Sequence, residues 1–329
     1  MKRKLISILL SVFAMLLLMG AAEPDTAAAL VPEEESTASE EAALETEVQL
    51  PSEDAEQSEI DDSESPEENG EAPAPEESAA VPAGDPTLLI NGQPAPVEIN
   101  REMQKGTTYV SLAVMARQLA PNAQINWDGS AVTVVTDRLS LTAKVGELYV
   151  EANGRYLYVP ELVQINQANQ VIVPLRVVAK AFDAAVGYDA ATGLTTVTAG
   201  SGGILSGEQF YNAGDLFWLS RVIHRESGNQ PMEGRMAVGN VVLNRVADPV
   251  FPNTVEGVLA QKNQFSTYKS GVLAATEPSA KSIIAAKLVM DGGEVEETKG
   301  ALYFDSGATS WAARNKQHIA TIGGHKFYG

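Results

Sequence analysis

Arg221-Val-Ile-His-Arg-Glu-Ser-Gly-Asn-Gln-Pro-Met-Glu-Gly-Arg-Met-Ala-Val-Gly-Asn-Val-Val-Leu-Asn-Arg-Val is the stretch on which the C-terminal part of the chain turns. Its first residues close a helical pattern that runs from Ala213 to Glu226. Leu216, Leu219, Val222 and Ile223 fall on one face of it, with Phe217 beside them. Gly228 and Asn229 are expected to stop that helix by entering the left-handed conformation. A second helix is expected over Met232–Val246, where Met236, Val242, Leu243 and Val246 recur on one side, and Pro249, Pro252 and Asn253 end it. A third, short helix is expected near Thr254–Ala260. A fourth is expected over Pro278–Met290, opened by Thr276 or Ser279 and closed by Gly292-Gly293. The tail, Ala301-Leu-Tyr-Phe-Asp and Ile322-Gly-Gly-His-Lys-Phe-Tyr, suits extended segments packed across a helical core. The expectation for residues 207–329 is a mainly α domain.

Glu226 lies three residues after Ile223 and seven after Leu219, so it extends the apolar stripe of its helix toward the C-terminal end. A carboxyl group at the edge of an apolar face loses water, which disfavours its charged form and raises its pKa. The negative end of the helix dipole acts in the same direction. A raised carboxyl pKa is what a general acid requires near neutral pH. Spacing alone leaves the other reading open, that of an ordinary solvated Glu at a helix end.

Upstream of this domain the chain changes character three times. Lys2, Arg3 and Lys4 precede an apolar run from Leu5 to Met19, and small residues follow at Gly20, Ala21 and Ala22. Residues 1–22 are therefore expected to be a secretory signal peptide, with an uncleaved N-terminal anchor as the alternative. Residues 23–86 hold 22 of the 43 Asp and Glu residues and no Lys or Arg, so the net charge of −20 is a local effect. That stretch is expected to be a disordered acidic linker, a solvated spacer or an acidic interaction tail, because little apolar surface opposes the entropy of ordering. The rest of the chain is near neutral and has no basic patch for neutralising phosphates, so nucleic acid is not expected as a partner. The sequence has no Cys, which excludes disulfides, thiol catalysis and lipid attachment through Cys.

Residues 87–199 read as a small β-rich α+β domain. Val97-Glu-Ile, Thr107-Thr-Tyr-Val, Ala131-Val-Thr-Val-Val-Thr, Leu148-Tyr-Val, Tyr156-Leu-Tyr-Val and Val171-Ile-Val are short β-branched or aromatic runs bounded by Gly, Asn, Asp or Pro. Tyr109-Val-Ser-Leu-Ala-Val-Met-Ala-Arg-Gln-Leu leads to Asn126-Trp-Asp-Gly and then Val132-Thr-Val-Val-Thr. About sixty residues later Ile172-Val-Pro-Leu-Arg-Val-Val-Ala-Lys-Ala-Phe leads to Gly187-Tyr-Asp and Leu194-Thr-Thr-Val-Thr, a loose internal repeat of strand, short helix and strand-turn-strand. This pattern resembles the copper amine oxidase N-terminal-like, or stalk, domain, which implies a binding or spacing module. No metal is expected there, because residues 87–199 contain neither His nor Cys. Trp127 and Tyr188 are candidates for stacking on sugars, with core or turn roles as the alternative. Ser201-Gly-Gly-Ile-Leu-Ser-Gly, centred on residues 200–206, is expected to be a flexible hinge.

The stretch quoted first resembles the spore-cortex-lytic, SleB-type cell wall hydrolase family. The resemblance continues through Phe251-Pro-Asn-Thr-Val-Glu-Gly-Val, Gln264-Phe-Ser, Ala301-Leu-Tyr-Phe and Ile322-Gly-Gly-His-Lys-Phe-Tyr. It implies a lysozyme-like catalytic domain over residues 207–329, a single catalytic Glu at Glu226, no cofactor and no metal. The implied activity is lytic transglycosylation of the MurNAc–GlcNAc bonds of peptidoglycan, in spore cortex or wall, by an exported protein. Substrate-binding roles are implied for Gln264, Phe265, Ser266, Tyr268 and Tyr303, with Phe304 beside Tyr303 as a further wall. Ser227-Gly228-Asn229 departs from the family's commoner Ala-Arg-Gly and bears on subsite preference.

Glu233 and Asp305 are the nearest candidates for a second acid, as a muramidase would require, although Glu233 suits the start of the second helix. Asn244 and Arg245 are expected to be structural. A zinc amidase is the first rival reading, on His224, His318 and His325, but His224 and Glu226 point to different helix faces and no His-x-x-x-His occurs. A non-catalytic wall-binding scaffold, with the stalk domain contacting an envelope protein, is the second.

Overall fold

The computed structural model describes residues 84–262, 264–307 and 309–329. The expected signal peptide, and the expected linker up to residue 83, lie outside the described residues. The first lobe is made of β1 (Asp85–Ile90), β2 (Gln93–Ala95), β3 (Glu102–Gln104), β4 (Thr107–Ser111), α1 (Leu112–Leu119), β5 (Gln124–Trp127), β6 (Ala131–Val135), β7 (Ser140–Lys144), β8 (Tyr149–Ala152), β9 (Arg155–Tyr158), β10 (Gln164–Ile165), β11 (Val171–Pro174), α2 (Leu175–Ala181), β12 (Ala185–Asp189) and β13 (Leu194–Thr198). The second lobe holds α3 (Gly207–Phe210), α4 (Ala213–Ser227), α5 (Met232–Ala247), α6 (Val255–Ala260), α7 (Ser266–Lys269), α8 (Val272–Ala275), α9 (Ala280–Met290), β14 (Tyr303–Asp305), α10 (Trp311–Asn315), β15 (His318–Ile322) and β16 (His325–Tyr328). Among the described residues no helix is long and apolar enough to cross a membrane.

In the first lobe the strands form sheets of order β12-β13-β1-β2, β10-β11-β4-β3 and β5-β6-β7-β8-β9. β4 and β11, the two strands expected to precede helices, pair antiparallel. Tyr109, Val110 and Ser111 face Pro174, Val173 and Ile172, so matching positions cross over about the Val110–Val173 pair. The helices that follow bury Leu112, Met115 and Ala116 on α1 and Leu175, Val178 and Ala179 on α2, in one core with β-strand residues such as Leu88, Leu141 and Val197. Two expectations are corrected here. Val97–Ile99 is a 3-10 turn, not a strand, because Pro96 precedes it and Asn100 closes it in the left-handed conformation with φ 45°. The first strand begins at Asp85, inside the stretch that composition assigned to the linker, and Asp85 accepts a hydrogen bond from Arg101 at 3.2 Å.

The second lobe is built on α4, α5 and α9, each of which packs against the other two. α5 is buried nearly all round, so its apolar surface is wider than a single stripe. Gly239 marks the closest approach: a Cβ there would lie 2.9 Å from Ile223 Cδ1 on α4 and 3.0 Å from Val289 Cγ2 on α9. The expected extended segments pair as β14-β16-β15, with Phe304 opposite Phe327. The short helices α3, α7, α8 and α10, of five residues or fewer, carry too little periodicity to be seen in advance.

The connection between the lobes differs from the free hinge expected of its Gly and Ser content. Ile204 is buried in the first core, and its amide donates to Ala181 O at 3.1 Å. Asn153, whose positive φ of 50° shapes the β8–β9 turn with Gly154, donates from Nδ2 to Ile204 O at 2.8 Å and accepts from Gly207 N at 2.8 Å. Beyond that turn Arg155 reaches the carboxylate of Asp291, just past α9. Asp291 also accepts from the Tyr211 hydroxyl and from Lys180 Nζ at 3.2 Å, and its side chain is 1% exposed. The Arg155 guanidinium lies 3.4 Å from the centroid of the Phe210 ring, and Tyr149, Tyr156 and Tyr158 pack on the second core. Desolvation of Asp291 is compensated only by this complete set of partners. Asp291→Ala is expected to lose about 3–5 kcal/mol in urea unfolding by leaving Arg155 buried and unpaired. Tyr211→Phe should lose only about 1 kcal/mol. Equal, small effects would show that the joint is not held this way.

Candidate active site

α4 begins at Asn212, whose side chain accepts from Asp215 N, and presents Leu219, Val222 and Ile223 to the core. Its last turn carries His224, Arg225, Glu226 and Ser227. Gly228 caps it with φ −59° and ψ −20°, right-handed rather than the left-handed conformation expected, and Asn229 likewise has no positive φ. The requirement for Gly at 228 is one of space: an added Cβ would overlap the His224 carbonyl and lie 3.3 Å from its ring nitrogen.

The loop that follows is tied down by a residue that the sequence did not single out. Arg235, on α5, is 8% exposed and has no carboxylate partner among the described residues. It donates to the carbonyls of Gly228 and Gln230, the latter at 2.9 Å, and to the hydroxyls of Ser282 at 2.9 Å and Ser279 at 3.3 Å. Its only legible signal was a cation directly before the apolar run Met236-Ala-Val. Gln230 continues the chain of contacts, accepting from Gly324 N at 2.7 Å in the β15–β16 turn. His224 Nδ1 meets Ser279 N and Ser282 Oγ, each at 3.4 Å, at the start of α9. α4, α5, α9 and the hairpin are thereby locked around one point.

That point is an open cleft of about 670 Å³. The end of α4 and the 228–230 loop form one wall, and Ser306, Gly324 and His325 form the other. Glu226 lines it, half-buried, and is the only carboxylate among its described lining residues. No hydrogen bond or ion pair engages the Glu226 carboxyl among the described residues. Loss of water pushes its pKa above the ordinary carboxylate value, and the neighbouring Arg225 offsets this only partly. Opposite it, His325 is 8% exposed, with its ring against Phe304 and Phe327 and its Nδ1 without a partner. Burial lowers the His325 pKa, while Asp305 acts in the other direction.

Of the other residues selected from sequence, His224, Gly228 and Asn229 also line this cleft, whereas Gln264, Phe265, Ser266, Tyr268 and Tyr303 are not among its lining residues. Arg245, 3% exposed, donates to Leu302 O at 2.7 Å and to Gln264 Oε1 at 3.0 Å, and its guanidinium lies 5.2 Å from the Tyr303 ring and 5.9 Å from the Phe265 ring. Arg245 is thus the hub that brings Gln264, Phe265 and Tyr303 together. Phe265, for which substrate binding was expected, is 6% exposed and belongs to the core of the second lobe. Ser266 is exposed at the start of α7. Tyr268 donates to Glu256 Oε1 at 2.9 Å and packs on Trp218. Asn244 donates to Ala301 O at 3.0 Å. Glu233 lies in the first turn of α5, and Asp305 accepts from the Ser310 hydroxyl. His318 bonds Thr321 at 2.9 Å on β15. Among the described residues no group of three or more His, Cys, Asp or Glu could hold a metal ion.

The raised pKa of Glu226 has a consequence for stability. Unfolded, this carboxyl titrates near 4.5; folded, it keeps its proton to higher pH. Its contribution is complete below the unfolded value and is lost as pH rises through the folded one. Glu226→Gln should therefore match the wild type in acid and become the more stable protein as pH approaches neutrality. Unfolding midpoints measured across pH check this, and parallel curves would contradict a desolvated carboxyl.

Residues 229–328 match the family described as Cell Wall Hydrolase, and residues 89–197 match the copper amine oxidase N-terminal domain. The first match begins three residues after Glu226. A spore cortex-lytic enzyme of Bacillus cereus is 32% identical over 121 residues, which are 36% of this chain and 45% of that protein. The spore cortex-lytic enzyme of Bacillus subtilis is 29% identical over 120 residues, 36% of this chain and 38% of that protein. The chain therefore spans less than half the length of these curated relatives. The catalytic domain of the germination-specific lytic transglycosylase SleB from Bacillus anthracis shares 30% identity, covering 38% of this chain and 100% of that one, with a TM-score of 0.33. The chain thus resembles the Cell Wall Hydrolase family over residues 229–328, behind a segment similar to the copper amine oxidase N-terminal domain at residues 89–197.

Proposed function

We propose that this protein is an exported peptidoglycan-degrading enzyme of the wall or spore envelope, a lytic transglycosylase whose second lobe is lysozyme-like and whose acid is Glu226. One observation carries the reading: a half-buried carboxyl with a raised pKa, and no ion pair among the described residues, stands in an open cleft. The match to the Cell Wall Hydrolase family and the likeness to spore cortex-lytic enzymes support the substrate class.

In this mechanism protonated Glu226 donates to the oxygen bridging N-acetylmuramic acid and N-acetylglucosamine, and that C–O bond breaks as positive charge develops at the muramoyl C1. The carboxylate so formed accepts the proton of the muramoyl 6-hydroxyl, whose oxygen bonds to C1 and closes a 1,6-anhydro ring. Glu226 ends protonated, ready for another turn, and no water is consumed. A hydrolytic muramidase needs a second carboxylate to activate water or to act as nucleophile. No second acid stands among the described lining residues, which favours the single-acid route.

Glu226→Gln should lower the release of soluble fragments from purified peptidoglycan by about 10²–10⁴-fold. Mass spectrometry should find the wild-type products as anhydro-muropeptides. Reducing-end muropeptides would replace this route by hydrolysis, and full activity in the variant would remove Glu226 from the chemistry.

A further inference from the structure

The first lobe carries two grooves built alike. One lies between β5, at the edge of its sheet, and β10, at one edge of the central sheet. Trp127 and Ile165, each 45% exposed, stand in it with Arg117 from α1 in a space of about 390 Å³. The other lies between β12, at the edge of a third sheet, and β3, at the opposite edge of the central sheet. Tyr188 and Met103, 63% and 64% exposed, stand there with Arg176 from α2 in about 570 Å³. β11 and β4, paired at Val110–Val173, lie between the edge strands β10 and β3 of that sheet, so the two grooves flank them. In each, an exposed aromatic on a hairpin edge meets an exposed aliphatic side chain and a guanidinium.

Charge separates these grooves from the rest of the chain. The sequence has 43 acidic residues against 23 basic ones, yet neither groove has an Asp or Glu in its lining. Arg117 and Arg176 make no ion pair among the described residues, whereas Arg101, at the rim of the second groove, pairs with Asp85 at 3.2 Å. An occupant is therefore neutral or anionic, with an apolar face for the ring. Exposed apolar patches of this kind with a polar rim mark binding surfaces. A sugar ring presents a face of C–H groups to stack on an aromatic, and a peptidoglycan strand also carries the carboxylates of its lactyl-linked stem peptides, which suit a guanidinium. Building on the function proposed above, we propose that the two grooves bind the wall polymer itself. Each stacks a sugar on Trp127 or Tyr188 and pairs a polymer carboxylate with Arg117 or Arg176. Two sites on one rigid lobe facing a repeating polymer gain by avidity and keep the cleft of the second lobe at its substrate.

The test uses the full chain and insoluble peptidoglycan stripped of protein, with retention measured by sedimentation in the cold. Trp127→Ala and Tyr188→Ala should each weaken retention about tenfold and the double variant about a hundredfold, while Trp127→Phe and Tyr188→Phe stay near wild type. Far-ultraviolet circular dichroism and fragment release from short soluble glycans should be unchanged, because both side chains are on the surface. Wild-type retention by the double variant overturns the proposal. So does binding that appears only when wall proteins are left in place, or binding that becomes independent of Trp127 and Tyr188 once residues 23–83 are removed, which would assign the grooves to a protein or to the chain's own acidic stretch. Retention through both aromatics without release of any fragment would sink the enzymatic reading and leave this one standing; lysis with retention indifferent to both would do the reverse.

Discussion

A single buried guanidinium organises the second lobe. Arg235 stands among α4, α5 and α9 without an acidic partner among the described residues, and it spends its donors on two loop carbonyls and two serine hydroxyls. A buried cation is tolerated when its hydrogen bonds are satisfied, and here they fix the chain directly after Glu226. With that loop fixed, Gln230 can reach the β15–β16 turn and His224 can reach the start of α9. Had a carboxylate neutralised Arg235, the site would hold a second acid within reach of the loop. Among the described lining residues Glu226 is the one carboxyl of the cleft wall.

The joint between the lobes follows a similar principle with the signs reversed. Asp291 is an anion that would be costly to bury alone, and it gathers Arg155, Lys180 and Tyr211 from both sides of the connection. Those partners come from β9, α2 and the residue after α3, so the ion cluster is also a statement about orientation. A first lobe docked through a desolvated ion cluster and a tyrosine-faced contact holds its surface and the cleft of the second lobe in one frame.

The cluster around Arg245 shows where resemblance and geometry part. Gln264, Phe265 and Tyr303 are indeed neighbours, but what they share is a guanidinium and the packing of the core, away from the Glu226 cleft. Residues that hold a buried cation are as constrained in type as residues that touch a ligand. A pattern of residue types therefore cannot distinguish the two tasks.

Local chemistry was legible in the sequence. The 3.6-residue period of Leu219, Val222 and Ile223, a short helix near Thr254, a helix opened by Thr276 or Ser279 (the structure has Ser279), the β-branched runs and the placement of Glu226 at the end of an apolar stripe all follow from interactions within a few residues. Tertiary structure alone decided what depends on distant partners. It turned a Gly- and Ser-rich connection into a packed joint because Asn153 and Ala181 offered it hydrogen bonds. It kept Gly228 right-handed because the constraint there is space beside His224. It also placed Arg235, Gln230 and His325 around the cleft from separate elements of the lobe. The physical reason is the range of the forces: backbone periodicity and capping act along the chain, whereas desolvation and buried hydrogen bonding are set by whatever the fold brings alongside.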